Sequence, residues 1–221
     1  MLGFLRERAK PGERLEVPLT RNHWEATYLA RAFPLARGWH RQLDRKVNPL
    51  FYDRDQPLTP ALYERWLRDN AVRWVALPAA PLDFSAEAEK ELLTGGLPFL
   101  APRHRSADWS IWEVRDPEPP VSGAATLTAA GADGFDLEAR RPGTVLVRQH
   151  ATPYWTVAEG AGCVSKDAAS GWTRVDVHRA GTVRVRARFT ARGALRRDPR
   201  CTIGSAATVP ASAVNPPVRE R

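Results

Sequence analysis

Apolar positions in the first half of the chain switch between a strand-like and a helix-like period. Residues 14–19 (Arg-Leu-Glu-Val-Pro-Leu) read as a short strand, with Pro18 at its edge or end. Asn22 is placed to cap a helix over 23–30, whose Glu25 suits the positive first turn. Residues 34–52 carry Arg, Trp, Pro and Gly without a clean period and are expected as a long ordered loop. Thr59-Pro60 starts a helix, since Thr accepts an orphan N–H and Pro at the first position lacks one. That helix runs to about Asn70 with Leu62, Trp66 and Leu67 as its apolar stripe, and a buried strand over 72–77 ends at Pro78. Ser85 is expected to cap a further helix, with Glu87 and Glu89 near its positive end and Gly95-Gly96 stopping it. Residues 99–105 and 109–115 read as a hairpin around Ser106-Ala107-Asp108.

After Asp116-Pro117-Glu118-Pro119-Pro120, a stiff linker, the period becomes two. Strands are expected over 125–129, 135–139, 144–150, 154–158, 172–178 and 182–189, a spacing that suggests a β-sandwich. From about Thr202 the chain is Ala, Ser, Thr, Val and Pro without periodicity and reads as a disordered tail. The fold class is therefore α+β. A small α/β domain over 1–115 is joined by a linker over 116–123 to a β-sandwich over 124–201, with a tail over 202–221.

The 221 residues, 43% hydrophobic and 26% charged, suit an ordinary folded protein. No apolar run reaches the roughly 18 residues that a membrane helix needs, and the apolar N-terminus is too short for a secretory signal. The distribution of charge is more informative. Residues 1–118 hold 18 Lys and Arg against 17 Asp and Glu, whereas 119–221 hold 15 against 8. An excess confined to the second half suggests two units and an anionic partner for the basic one: nucleic acid, acidic lipid, or a phosphorylated glycan or lipid. Arginine outnumbers lysine 29 to 4, which we read as the codon bias of a GC-rich genome ahead of phosphate recognition. Cys163 and Cys201, 38 residues apart, flank the last two expected strands. A bridge between them, which we favour over two unrelated thiols, would stabilise the β unit by about 4 kcal/mol and persist only in an oxidising compartment.

The usual catalytic patterns are missing: no phosphate-cradling loop, no nucleophile elbow, and no second His or Cys at metal-ligand spacing from His23, His40, His104, His150 or His178. No catalytic residue, metal site or cofactor is called for. Asp44, Asp53 and Asp55 are expected as solvated loop residues or caps. Over 182–189 the strand alternates, leaving Arg184, Arg186 and Arg188 in a row on one face. We read the row first as a solvated face guarding a sheet edge and second as a site for phosphate or acidic headgroups. Of the eight tryptophans, Trp66, Trp74, Trp112 and Trp172 sit at core-like positions, while Trp39 and Trp155 lie in looser surroundings that suit sugar stacking.

The runs Leu19-Thr20-Arg21-Asn22-His23-Trp24-Glu25, Pro34-Leu35-Ala36-Arg37-Gly38-Trp39-His40-Arg41-Gln42-Leu43-Asp44 and Asn48-Pro49-Leu50-Phe51-Tyr52 form a distinctive block, as does the segment from Trp66 to Pro78. They resemble the C-terminal extracytoplasmic region of actinobacterial polytopic membrane proteins of the GT-C-like glycosyltransferase type. Thr152-Pro153-Tyr154-Trp155 is similar to a strand start in the terminal sandwich of that group. The resemblance covers roughly 14–201. It implies a soluble α/β region and a β-sandwich following a transmembrane bundle, on the outer face of the membrane. The partner it implies is that transmembrane part, with a polyprenyl-phosphate, glycan or anionic lipid as contact. The catalytic acid of such enzymes lies between membrane helices, so none is carried onto this chain. A start at Met1 without export would instead leave a cytoplasmic protein. A freestanding carbohydrate-binding module is the alternative, and a nucleic-acid binder ranks last for want of a helix-turn-helix or an RNA-binding strand motif.

Overall fold

The structure, a computed structural model, describes residues 1–188 apart from Trp39 and Arg54. The first domain runs α1 (Leu2–Arg8), β1 (Arg14–Glu16), α2 (Trp24–Leu29), α3 (Arg41–Val47), α4 (Pro60–Asp69), β2 (Val72–Pro78), α5 (Glu87–Gly95), β3 (Leu100–Arg105) and β4 (Trp109–Val114). Its sheet has the order β1-β2-β4-β3, with β1 parallel to β2 and the other pairs antiparallel. Both faces of the sheet are covered. Val72, Val75 and Leu77 pack on one side with Tyr63, Trp66 and Leu67 of α4 and Leu93 of α5. Trp74 and Ala76 pack on the other with Leu5 of α1 and Leu29 of α2. Burial on both faces accounts for the continuous apolar run of β2.

The second domain holds β5 (Val121–Ser122), β6 (Ala125–Gly131), β7 (Gly134–Ala139), β8 (Gly143–His150), β9 (Trp155–Glu159), β10 (Gly162–Lys166), β11 (Trp172–Val177) and β12 (Gly181–Ala187). They form two antiparallel sheets, β10-β11-β8-β5 and β6-β7-β12-β9. Val145, Val147, Val175 and Val177 from one sheet meet Phe135, Leu137, Val183 and Val185 from the other, so the unit is the expected β-sandwich. The mixed α+β class holds; the expected tail lies outside the described residues.

Several local expectations are corrected. The stretch 34–52 contains α3 and a 3-10 turn, Pro49–Phe51. The N-terminal α1 and the strands β5 and β10 were not foreseen, and β5 draws part of the linker into the sandwich by pairing with β8. Ser85 is not a helix cap. Asp83 accepts its amide and its hydroxyl, closing a 3-10 turn that leads into α5. Thr59 does cap α4 as expected, accepting from Leu62 N at 3.3 Å. Thr59→Ala is expected to cost about 1 kcal/mol in chemical denaturation; an unchanged midpoint would mean that α4 is held by packing alone.

Candidate functional site

Four elements of the first domain converge on one buried guanidinium. Arg37, in the loop before α3, is fully covered, as are Glu16 of β1, Asp44 of α3 and Glu89 of α5. Its Nη2 donates to Asp44 Oδ2 at 2.8 Å and its Nη1 to Glu89 Oε2 at 3.4 Å, while Glu16 Oε1 stands 3.8 Å away. The guanidinium lies over the Phe51 ring, 3.9 Å from its centre. Three carboxyls thus share one cation. Burial works against the charged form of Arg37, but Glu16, Glu89 and Asp44 outweigh it and hold the guanidinium above the usual arginine value.

The carboxyls are not equivalent. Asp44 accepts from Arg37, from Asn48 Nδ2 at 2.7 Å and from the Tyr52 hydroxyl. Glu89 accepts the Tyr63 hydroxyl at 2.6 Å, yet burial still pushes it up to about 7. Neither oxygen of Glu16 receives a hydrogen bond. Burial first, and Glu89 second, raise it well above the ordinary carboxylate range, which favours the neutral acid. Asp44, expected in solvent, is therefore corrected to a buried ion-pair partner. Asp53 is exposed, its Oδ1 accepting from the amides of Asp55 and Gln56, as expected of a loop residue. Closed to solvent, the Arg37 cluster cannot meet a substrate. Its role is positional: Asn48, held by Asp44, accepts Trp66 Nε1 at 2.8 Å, and Asn70 Nδ2 donates to Trp66 O at 2.9 Å.

Asn48, Trp66 and Asn70 form one wall of a cleft between the two domains. The other wall is His150 of β8, Ser170, and Trp172 of β11, around a volume of about 420 Å³. A second hollow of about 410 Å³, which shares Asp69 and Arg148 with the first, is lined by Glu64, Arg65, Arg68 and Glu118. The domains are tied beside it. Arg14 of β1 donates to Asn70 O at 2.7 Å and to Arg148 O. Burial first, then the neighbouring Arg148, lower Arg14 to about 10, so it stays cationic at neutral pH. Arg148 donates to Asp69 O at 3.3 Å and to Pro119 O at 3.1 Å.

Within the cleft the His150 ring lies 4.3 Å from the Trp172 ring, tilted by 33°. Burial, then the cations of Arg14 and Lys166, hold His150 below the usual histidine value and favour the neutral imidazole. The Ser170 hydroxyl and amide both donate to Asp167 Oδ2, at 2.6 Å and 2.8 Å, closing the turn between β10 and β11. Among the described residues, no group of three or more His, Cys, Asp or Glu is placed to hold a metal ion. What the cleft offers is the His150 imidazole, backed by the buried Trp172 ring and edged by amides, a carboxylate, a hydroxyl and the Arg148 guanidinium.

The residues singled out from sequence fall elsewhere. Trp155, expected in open surroundings, is only 9% exposed, packs edge-on against Phe135 at 5.8 Å and donates its indole N–H to His150 O. Trp39 lies outside the described residues. Arg184 pairs with Glu159 and Asp136, and Arg186 with Asp136. Arg188 is exposed just past β12. The first two are therefore neutralised on the outer face. The edge-guarding role is corrected too, because β12 lies between β7 and β9. Cys163 is buried in β10, whereas Cys201 lies outside the described residues, so only one end of the expected bridge is placed. Comparison with protein-family models, curated proteins and solved structures found no match to this chain.

Proposed function

We propose that this chain is a non-catalytic glycan-binding region, the extracytoplasmic accessory part of a GT-C-like membrane glycosyltransferase. The interdomain cleft is the site. The observation that carries this reading is the exposed His150 ring, backed by the buried Trp172, with Asp69, Asn70, Arg148 and Ser170 around it. Sugars present an apolar C–H face and a rim of hydroxyls, and that combination complements such a surface. The order of an α/β domain followed by a β-sandwich also agrees with what the sequence resemblance implies. In this reading the partner is the transmembrane part of the enzyme, and a Cys163–Cys201 bridge forms on export.

The test is a glycan array spanning cell-envelope polysaccharides, followed by titration of the best binder. His150→Ala and Asp69→Ala remove exposed cleft groups and are expected to weaken binding about tenfold each, the loss of one or two hydrogen bonds. Thermal midpoints should stay near the parent's. Silence across the array, or variants that bind like the parent, would overturn the reading.

A further inference from the structure

A second surface, away from the cleft, carries an inference that goes beyond glycan binding. Trp24 and Tyr28 of α2 stand 58% and 67% exposed and stack on each other at 6.0 Å, and Phe84 is 59% exposed. Buried Asp83 joins these sites: His23 Nε2 approaches it to 3.8 Å from one side and Arg41 pairs with it from the other. Arg41 then lies 5.2 Å from the Phe84 ring, and Phe84 meets Tyr52 edge-on at 6.2 Å. Three large aromatic side chains left in water are an unusual feature of a folded surface.

The charges around them are sorted by sign. Among the described residues of 21–46, the exposed ionisable side chains that carry fixed charge are Arg21, Arg31, Arg41, Arg45 and Lys46. The acids of the same segment, Glu25 and Asp44, are turned inward, as is Asp83. Glu25 is spent on the amide and hydroxyl of Thr20, and Asp44 on Arg37. The exposed acid nearest Phe84 in sequence, Glu87, is offset by Lys90 at 3.6 Å; Asp53 and Asp55 follow on the loop past Tyr52. A face with cations outward, acids inward and amphipathic rings between them complements an anionic bilayer interface. Rings of Trp and Tyr settle at headgroup depth, where one end is apolar and the other wet.

We propose that the α2–α3 face, with Trp24, Tyr28 and Phe84 as inserting side chains and Arg21 and Arg45 as headgroup contacts, docks this protein on an anionic membrane surface. The overall excess of positive charge lies in the other half of the chain, so the location of the membrane contact is itself the claim. The experiment is flotation of the full chain with vesicles of equal phosphatidylglycerol and phosphatidylcholine, against phosphatidylcholine alone. Binding to the anionic vesicles only, falling with salt, is expected. Trp24→Ala with Tyr28→Ala, and separately Arg21→Glu with Arg45→Glu, should each reduce it about tenfold or more. Arg184→Glu with Arg188→Glu, on the β-sandwich, should change it far less. Trp24→Phe keeps an apolar ring; it should still float while losing the blue shift of fluorescence that vesicles induce. Absence of binding to anionic vesicles would overturn the proposal. So would loss of binding through the β12 pair instead, or salt-sensitive binding of duplex DNA through Arg21 and Arg45 without vesicle binding. Glycan binding is read separately with His150→Ala, which leaves this face intact.

Discussion

Arg37→Leu is expected to destabilise the protein by about 3–5 kcal/mol at neutral pH, the cost of leaving buried carboxyls without their cation. Arg37 faces Glu16, Asp44 and Glu89, and it also covers the Phe51 ring. Leucine restores part of the packing but none of the charge. The fold's remaining response is to protonate the carboxyls, so the deficit should be smaller at pH 5 than at pH 8. Urea titrations at the two values measure this. A loss below about 1 kcal/mol, or a deficit independent of pH, would mean that the cluster contributes like a surface ion pair. Through Asp44, Asn48 and Trp66 the damage should reach the cleft wall, so the glycan binding proposed for the cleft should fall as well in any folded remainder.

In the unaltered protein, stability is expected to decline as pH rises from about 4.5 to about 7. Glu89 is pushed from 4.5 up to about 7 in the fold, chiefly by burial. Between those values the folded chain keeps a proton that the unfolded chain has released, so raising the pH favours unfolding. The contribution is on the order of 3 kcal/mol if the whole shift is expressed. Glu16, raised well above its ordinary value by burial and by Glu89, extends the decline further upward. This is the opposite of the usual carboxylate that is stabilised as its anion. Glu89→Gln preserves an acceptor for the Tyr63 hydroxyl but has no proton to release, and it should flatten the slope over this window. A stability that rises from pH 5 to pH 7, unaltered by Glu89→Gln, would contradict the assignment.

The sandwich was legible in the sequence because strands buried on one face must alternate, and β7, β8, β11 and β12 do so cleanly. The helix α4 announced itself through Thr59-Pro60 and an apolar stripe, and β2 through an apolar run bounded by Pro78. The helix α3 gave no such signal, because the residue it turns inward is Asp44, a charge rather than an apolar side chain. Without an apolar stripe no helical period arises, and the segment reads as a loop. A hint did exist in β1, where Glu16 interrupts Leu15 and Val17 at a position with no solvent. A lone acid inside a buried strand needs a buried cation nearby or must keep its own proton, and the sequence indicates neither which arginine approaches it nor which of the two prevails.

The cleft was invisible for a different reason. Asn48, Asn70, His150 and Trp172 come from two domains, and no window of sequence brings them together. Trp172, expected in the core, is buried, and it reaches the cleft only through the His150 ring that lies against it. Trp155, expected in looser surroundings, instead turns into the sandwich core from β9 and meets Phe135 of the same sheet. The arginine row on β12 was correctly placed on an outer face. Its partners Asp136 and Glu159 sit on the adjoining strands, and only the strand order reveals that pairing.

The most direct test of the account is a heteronuclear NMR titration of the full chain with a saccharide taken from the array. The account predicts perturbed amides at Asn70, Arg148, His150 and Ser170, together with a shift of the Trp172 indole N–H. Perturbations confined to the outer face of β12, or none with any saccharide tried, would contradict it.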